Sequence, residues 1–395
     1  MVDYDKESVA LHAELHGKLG VRSKVSLASK HDLSLAYTPG VGQVCVEIAR
    51  DPERVFDLTI KHNTVAVVSD GSAILGLGNL GAEAAIPVME GKAVLFKEFA
   101  GVDAFPICLA TQDVDQIVAI VRAIAPVFGG INLEDISAPR CFEVESRLQG
   151  LGIPVFHDDQ HGTAIVTVAA LLNALKVTRK DLAQSTVVFS GSGASAIACA
   201  RLIQSFGKLG HMPMVGDILL CDSKGIVNRE RSDLNSYKRE IAATTNRHGR
   251  KGSLADALRG ADVFIGLSQG NIVDEDMVRS MNRDPIVFAM ANPNPEIMPH
   301  LARAAGAVVV ATGRSDFLNQ INNVLAFPGV FRGALDAGAK VINEEMKVAA
   351  AQTLAAIVIE PVPERILPDA LDKTVAYRIG EAVAGAARSS GVCRD

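Results

Sequence analysis

The sequence predicts an α/β protein of two domains, a mixed α/β N-terminal one followed by a doubly wound parallel sheet. Three observations carry that expectation. The chain has 395 residues, more than a single core usually spans. Its composition is 48% hydrophobic, with 5% aromatic residues and no Trp. The core is therefore built mainly from small aliphatic residues, as in buried parallel strands covered by small-residue helices. In the second half, short apolar runs alternate with helical segments, which is the pattern of a doubly wound sheet.

Residues 1–35 read as helices and a basic, polar connector. Two apolar runs follow, 64–69 and 72–78, joined by Asp70-Gly71, and an Asp-Gly between such runs predicts an antiparallel hairpin. The segments 93–99 and 104–110 each read as a strand, and Asp113 caps an apolar-periodic helix over 114–128. Two short strands, 129–136 and 153–159, each end in a pair of acids. A long aliphatic helix from Thr163 to Leu175 leads away from them. The domain boundary is expected near residue 160, giving 1–160 and 161–395. In the second part, strands are expected at 185–190, 217–222, 261–268, 285–293 and 307–313, with a helix at 194–207. The segment after Arg332 is Ala-rich and helical, and is expected to pack back toward the first domain.

A net charge of −6 leaves no basic excess to meet phosphates, which argues against nucleic acid. The six cysteines show no C-x-x-C spacing and mostly sit in apolar runs, so they read as small hydrophobes of a reducing compartment. The N-terminus has no apolar signal-peptide core, and the longest apolar stretch, 163–177, falls short of a membrane span. A cytoplasmic protein without membrane contact is expected.

Gly191-Ser192-Gly193-Ala194-Ser195-Ala196 matches G-x-G-x-x-[GA]. The first Gly makes the tight turn, the second lets the backbone approach a pyrophosphate, and the small third residue lets helix pack on strand. The pattern alone is weak, since at a glycine usage of about 7% a chain of this length yields roughly a third to a half of one match by chance. Gly76-Leu77-Gly78-Asn79-Leu80-Gly81 fits it too. Context separates the two. The second motif follows a five-residue strand, opens a long helix, and is succeeded by a strand ending at Asp222. That is the Rossmann arrangement, in which such an acid bonds the adenine-ribose hydroxyls of a nicotinamide dinucleotide. The first motif follows the expected hairpin, and Pro87 interrupts what comes after it. A carboxylate at 222 favours NAD, whereas Ser223 and Lys224 beside it leave room for NADP.

The acid pairs Glu134-Asp135 and Asp158-Asp159 end equivalent strands, where open α/β sheets bind ligands. Four carboxylates together repel one another unless a cation, a lysine or a shared proton offsets them. All-oxygen donors select Mg²⁺ or Mn²⁺ over zinc. The flanking His157 and His161 read as satisfied polar residues.

Taken together, these stretches resemble the malic enzymes in their short bacterial form, over essentially the whole chain. The resemblance rests on YTPGV at 37–41, SDGSAILGLGNLG at 69–81, IPVMEGK at 86–92 and NLEDI at 132–136. It continues through FHDDQHGTA at 156–164, GSGASA at 191–196, ANPNPE at 291–296 and INNVLAFPG at 321–329. It implies divalent-metal-dependent oxidative decarboxylation of malate to pyruvate and carbon dioxide with reduction of NAD or NADP, oxaloacetate decarboxylation as a side activity, and a homodimer or larger assembly. Lys92 corresponds to the base that takes the C2 hydroxyl proton, which requires a depressed pKa. Tyr37 corresponds to the acid that protonates C3 of enolpyruvate. Glu134, Asp135 and Asp159 correspond to the metal ligands, Asp158 to the acid beside the lysine, and Asn292, Asn322 and Asn323 to residues contacting substrate or nicotinamide. The metal is wanted because decarboxylation builds negative charge on the C2 oxygen.

One departure matters. Longer family members carry an arginine for a substrate carboxylate where this chain has Ala73, so a cation from elsewhere or from a partner subunit is needed. The acyltransferase-like extension of some relatives is absent, so regulation by that route is not expected. Two other functions remain in view: a metal-independent amino-acid dehydrogenase of similar layout, and a non-catalytic dinucleotide sensor. The acid pairs speak against the first, and the sensor makes no use of Lys92.

Overall fold

The computed structural model describes residues 4–75, 77–211 and 213–394, so Gly76 of the first glycine motif lies outside the described residues. Helices α1 (Tyr4–Leu15), α2 (Lys30–Ala36) and α3 (Val41–Arg50) come first and bury no residue, and a short α4 (Val55–Leu58) follows. The first sheet is built from β1 (Thr64–Ser69), β2 (Asp103–Cys108), β3 (Gly130–Leu133) and β4 (Val155–His157) in the order β2-β1-β3-β4. Every pairing in it is parallel. Its crossovers are α5 (Ala82–Ala100), α6 (Val114–Ile124, capped by Asp113) and α7 (Arg140–Leu148).

Three expectations fail here, for one physical reason. The segment after Asp70-Gly71 does not return beside β1; β1 is buried between β2 and β3, and the antiparallel contact in this region is the isolated Ile74–Gly78 bridge. Residues 93–99 are not a strand but the last turns of α5, with Ala85, Met89, Ala93, Phe96 and Ala100 buried at helical spacing. Pro87 does not end this helix, which starts at the Gly81 cap and runs through it. Each misreading treats a short apolar run as local, whereas tertiary packing decides its state.

The second sheet contains β5 (Thr186–Ser190), β6 (Asp217–Asp222), β7 (Gly225–Ile226), β8 (Val263–Gly266), β9 (Ile286–Ala289) and β10 (Val309–Thr312). Their order is β10-β9-β8-β5-β6-β7, parallel except for β7. This is the doubly wound sheet expected. Helices α8 (Thr163–Thr178), α9 (Ala194–Lys208), α10 (Ser236–Ala242), α11 (Leu254–Leu258), α12 (Glu275–Arg279) and α13 (Pro299–Ala304) accompany it. A π-turn at Asp158–Gly162 runs directly into α8, and the 21-residue helix so formed is long and apolar enough to cross a membrane by length and composition. Two thirds of its most apolar window is buried in protein, as a core helix requires.

The C-terminal helices α14 (Phe327–Asp336), α15 (Glu344–Ile357) and α16 (Thr374–Ser389) pack on one another, and α14 also packs on α5 of the first unit. Phe96 meets Phe327 and Phe331 edge-on, and Phe156 meets Phe331 the same way. Arg332 reaches back to Asn63, and a single apolar cluster runs through both sheets. The α14–α16 contact is close because Gly329 and Gly333 face it. A Cβ on Gly333 would collide with the Gly380 carbonyl and crowd Val383. Gly333→Ala is therefore expected to lower unfolding stability by about 1–3 kcal/mol, read as a reduced urea midpoint at unchanged slope.

Candidate active site

Strands β3 and β4 are neighbours in register, with Leu133 beside His157, so the acids that follow them emerge at one carboxyl edge. One ligand oxygen from each of Glu134, Asp135 and Asp159 lies within 4.8 Å of the others. Asp135 is held at a φ of 54°, with its N–H donating to Asp159 Oδ2 (2.9 Å) and its carbonyl accepting from the Ala73 N–H. Glu134 Oε2 accepts from the Asn132 amide at 2.9 Å. Asp135 Oδ2 is buried without a partner among the described residues. Burial first, and then the neighbouring carboxylates, push Glu134 well above its ordinary value, Asp135 up to about 7 and Asp158 up to about 6. An all-oxygen set with an orphaned acceptor and mutual repulsion fits a hard divalent cation, Mg²⁺ or Mn²⁺.

Lys92, on α5, reaches into the cluster. Its Nζ lies 2.5 Å from Asp158 Oδ2 and 3.1 Å from Glu134 Oε1, and sits over the Phe327 ring at 4.6 Å. The expectation of a depressed pKa is not met in the protein alone. Burial pulls Lys92 down, but Asp158, Glu134 and Asp159 outweigh it and hold the ammonium above its ordinary value. Asn323 donates to the same Asp158 oxygen at 2.5 Å.

The sequence reading missed the support beneath this centre. Glu145, from α7, accepts from the His157 N–H, the Gln160 amide and the His161 ring, and so clamps both ends of the π-turn that carries Asp158 and Asp159. Burial would raise Glu145, but His161, His157 and Lys347 hold it down at about 2. His161 is satisfied, as expected. His157 is not: it is buried, neither ring nitrogen has a hydrogen-bond partner among the described residues, and Nδ1 lies 3.8 Å from Asp159 Oδ2.

The turn Gly191–Ala196 stands between β5 and α9 as a dinucleotide site requires. Gly191 has a φ of 109°, and a Cβ there would strike the Leu267 carbonyl, whereas Gly193 opens onto free space at the helix N-terminus. Ser195 turns inward, and its hydroxyl donates to the Asp159 carbonyl at 2.8 Å, tying this helix to the acidic turn. Ser192, Asp222, Ser223 and Lys224 line one cavity of about 720 Å³. Asp222 is not free for ribose, however: Arg231 grips it at 2.8 and 3.0 Å, and Lys238 at 2.8 Å. Nothing in the local pattern marked either cation.

Asn292 follows β9 and lies against Gly313, and Asn322 caps the turn before α14 through the Val324 N–H. Tyr37 lies just after α2, at its C-cap. It is 67% exposed, and among the described residues its hydroxyl has no partner. All six cysteines are free; Cys141, Cys199 and Cys221 are buried and Cys45 is exposed.

A hard-cation cluster with a buried lysine, tied to a dinucleotide turn, defines a metal-dependent nicotinamide-dinucleotide oxidoreductase. Residues 16–149 match the malic enzyme N-terminal domain family, and residues 160–388 match the malic enzyme NAD binding domain family. The bifunctional malic/malolactic enzyme of Bacillus subtilis is 55% identical over 393 residues, covering 98% of this chain and 94% of that one. The NAD-dependent malic enzyme of Geobacillus stearothermophilus is 56% identical, covering 96% and 78%. The NADP-dependent malic enzyme of Halomonas elongata is 48% identical, covering 97% and 93%. The crystal structure of malic enzyme from Pyrococcus horikoshii superposes with a TM-score of 0.92 at 46% identity, covering 98% of this chain and 92% of that one. The chain belongs to the malic enzyme family.

Removing the Glu145 carboxylate strips three donors of their acceptor, those of His157 and Gln160 on buried residues. Glu145→Ala is expected to cost about 3 kcal/mol in urea unfolding at pH 7. Because Glu145 is depressed in the fold, its contribution is present above about pH 4.5 and lost as pH falls toward 2. The gap between wild type and Glu145→Gln should narrow across that window.

Proposed function

We propose that this protein carries out the oxidative decarboxylation of malate to pyruvate and carbon dioxide, reducing NAD or NADP, with a divalent cation as cofactor. The observation that carries this reading is Lys92, buried between Asp158 and Glu134 beside three converging carboxylate oxygens. Glu134, Asp135 and Asp159 would hold Mg²⁺ or Mn²⁺, which supplies positive charge against the negative charge that builds on the C2 oxygen. A cation offsetting those carboxylates would weaken the pull that raises Lys92 and leave it against burial and Asp158, the setting from which its amine would take the C2 hydroxyl proton. Asp158, bonded to both Lys92 and Asn323, fixes the amine's direction. Gly191, Ser192 and Gly193, with the N-terminus of α9 at Ala194 to Ala196, hold the pyrophosphate of the hydride acceptor. Asn292, Asn322 and Asn323 face malate or the nicotinamide. The same site, with oxaloacetate supplied, would decarboxylate it without hydride transfer.

Tyr37 is the proton donor to C3, and it is delivered by a second copy. Its own chain leaves it exposed, and the three N-terminal helices bury nothing while exposing Val9, Leu11, Leu15, Leu33 and Leu35. A covered apolar face of this kind is what a homo-oligomer supplies. The parallel sheets within 64–157 and 186–312 support a division near residue 160, malate and metal on one side and dinucleotide on the other. Six unpaired cysteines suit the cytoplasm.

Malate with Mn²⁺ should reduce the dinucleotide, and chelation should abolish the rate; a rate that survives chelation removes the metal from the scheme. By direct Mn²⁺ titration, Asp135→Asn and Asp159→Asn should each bind the ion at least tenfold more weakly. Lys92→Ala should lose malate oxidation while still binding dinucleotide. Co-expression of Lys92→Ala with Tyr37→Phe should restore about a quarter of the wild-type rate, because mixed dimers rebuild one complete site. No recovery would place Tyr37 outside the partner's site.

A further inference from the structure

Buried polar groups in a folded protein have partners, and one that lacks them calls for a reason. The His157 ring is such a group. It is 1% exposed, and neither Nδ1 nor Nε2 has a hydrogen-bond partner among the described residues. Its place is set by the strand that carries it. His157 ends β4 beside Leu133 of β3, and Phe156 before it packs edge-on against Phe331. The His157 backbone N–H donates to Glu145 Oε1, which also takes the His161 ring. The clamp thus holds the backbone and leaves the imidazole uncommitted.

One carboxylate stands almost within its reach. His157 Nδ1 lies 3.8 Å from Asp159 Oδ2, too far for a hydrogen bond but close enough for a small rotation to make one. The two side chains are not equally free to move, since that of His157 is 1% exposed and that of Asp159 36%. Asp159 Oδ2 accepts from the Asp135 N–H at 2.9 Å, and a carboxylate oxygen has room for a second donor. An imidazole carries at least one N–H in either charge state, so no proton need be gained or lost. The same small region holds other buried atoms without partners among the described residues: Asn132 Oδ1, Asp135 Oδ2 and Asp158 Oδ1. Gaps gathered around one cluster of acids suit a centre whose side chains settle when a cation draws them together.

We infer that His157 is a positioning residue for Asp159: with the cation bound, its Nδ1–H donates to Asp159 Oδ2 and fixes that carboxylate's rotation, leaving the other oxygen to the ion. The inference rests on reading Glu134, Asp135 and Asp159 as the metal ligands and deepens that reading. Outer hydrogen bonds of this kind orient metal ligands, and losing one weakens metal binding by about 10–100-fold.

The test is Mn²⁺ binding to the full-length protein without malate or dinucleotide, read from the paramagnetic resonance signal of the free ion, with urea unfolding of the metal-free protein alongside. His157→Leu should bind Mn²⁺ about tenfold or more weakly than wild type. His157→Asn places an amide N–H where Nδ1 stands, and should stay within about threefold of wild type. His157→Gln places it where Nε2 stands, and should be as weak as His157→Leu. Without metal, His157→Leu should unfold at no lower urea concentration than wild type, because it removes a buried polar group that has no partner. The backbone N–H to Glu145 survives in every variant. Wild-type Mn²⁺ affinity in His157→Leu overturns the inference, and so does His157→Asn as weak as His157→Leu; in either case the metal site itself stands. If His157→Leu does not fold, the contrast between His157→Asn and His157→Gln decides alone. If wild type binds no Mn²⁺, the metal reading falls and takes this inference with it.

Discussion

Four carboxylates at the edge of one small sheet constrain everything around them. Glu134, Asp135 and Asp158 are almost wholly buried, with Asp159 beside them, and close acids in low dielectric cannot all ionise unaided. Lys92 offsets part of that charge, and a cation or bound protons must offset the rest. The dependence runs both ways. Asp158, Glu134 and Asp159 in turn hold the Lys92 ammonium above its ordinary value against the pull of burial.

The same centre fastens the two sheets together. Ser195, at the start of the dinucleotide helix, donates to the Asp159 carbonyl, and Asn323, just before α14, donates to Asp158. The start of α9 is therefore bonded to the backbone that presents the acids, and the C-terminal helices are anchored at the Lys92–Asp158 pair through Phe327 and Asn323. Glu145 carries this one layer further by clamping the turn from behind.

The parallel strands, the Asp113 cap, the dinucleotide turn and both acid pairs were legible in the sequence because each depends on local pattern: a two- or 3.6-residue period, or glycine where backbone must come close. What failed depends on partners far along the chain. Residues 93–99 read as a strand because seven residues cannot reveal a nineteen-residue helix whose buried positions begin at Ala82. Asp70-Gly71 carries the local chemistry of a hairpin, but β2 and β3 already flank β1 on both sides. Asp222 reads as a free acid until Arg231 and Lys238 are placed on it. Tyr37 was assigned by resemblance alone, and its own chain leaves it exposed.

The C-terminal helices impose an order in time as well as in space. Asn63 is completed by Arg332, 269 residues downstream, and Asp158 by Asn323, 165 residues downstream. At roughly 5–20 residues per second, a ribosome leaves Asn63 without that partner for roughly 13 to 54 s. From their own synthesis until α14 follows, Phe96 and Phe156 have no aromatic cover from it, so the nascent first unit presents an apolar face. Contacts of such sequence separation also slow the closing steps of folding. The newborn chain is consequently at its most aggregation-prone shortly before it can first bind substrate, which is when holdase chaperones have most to offer it.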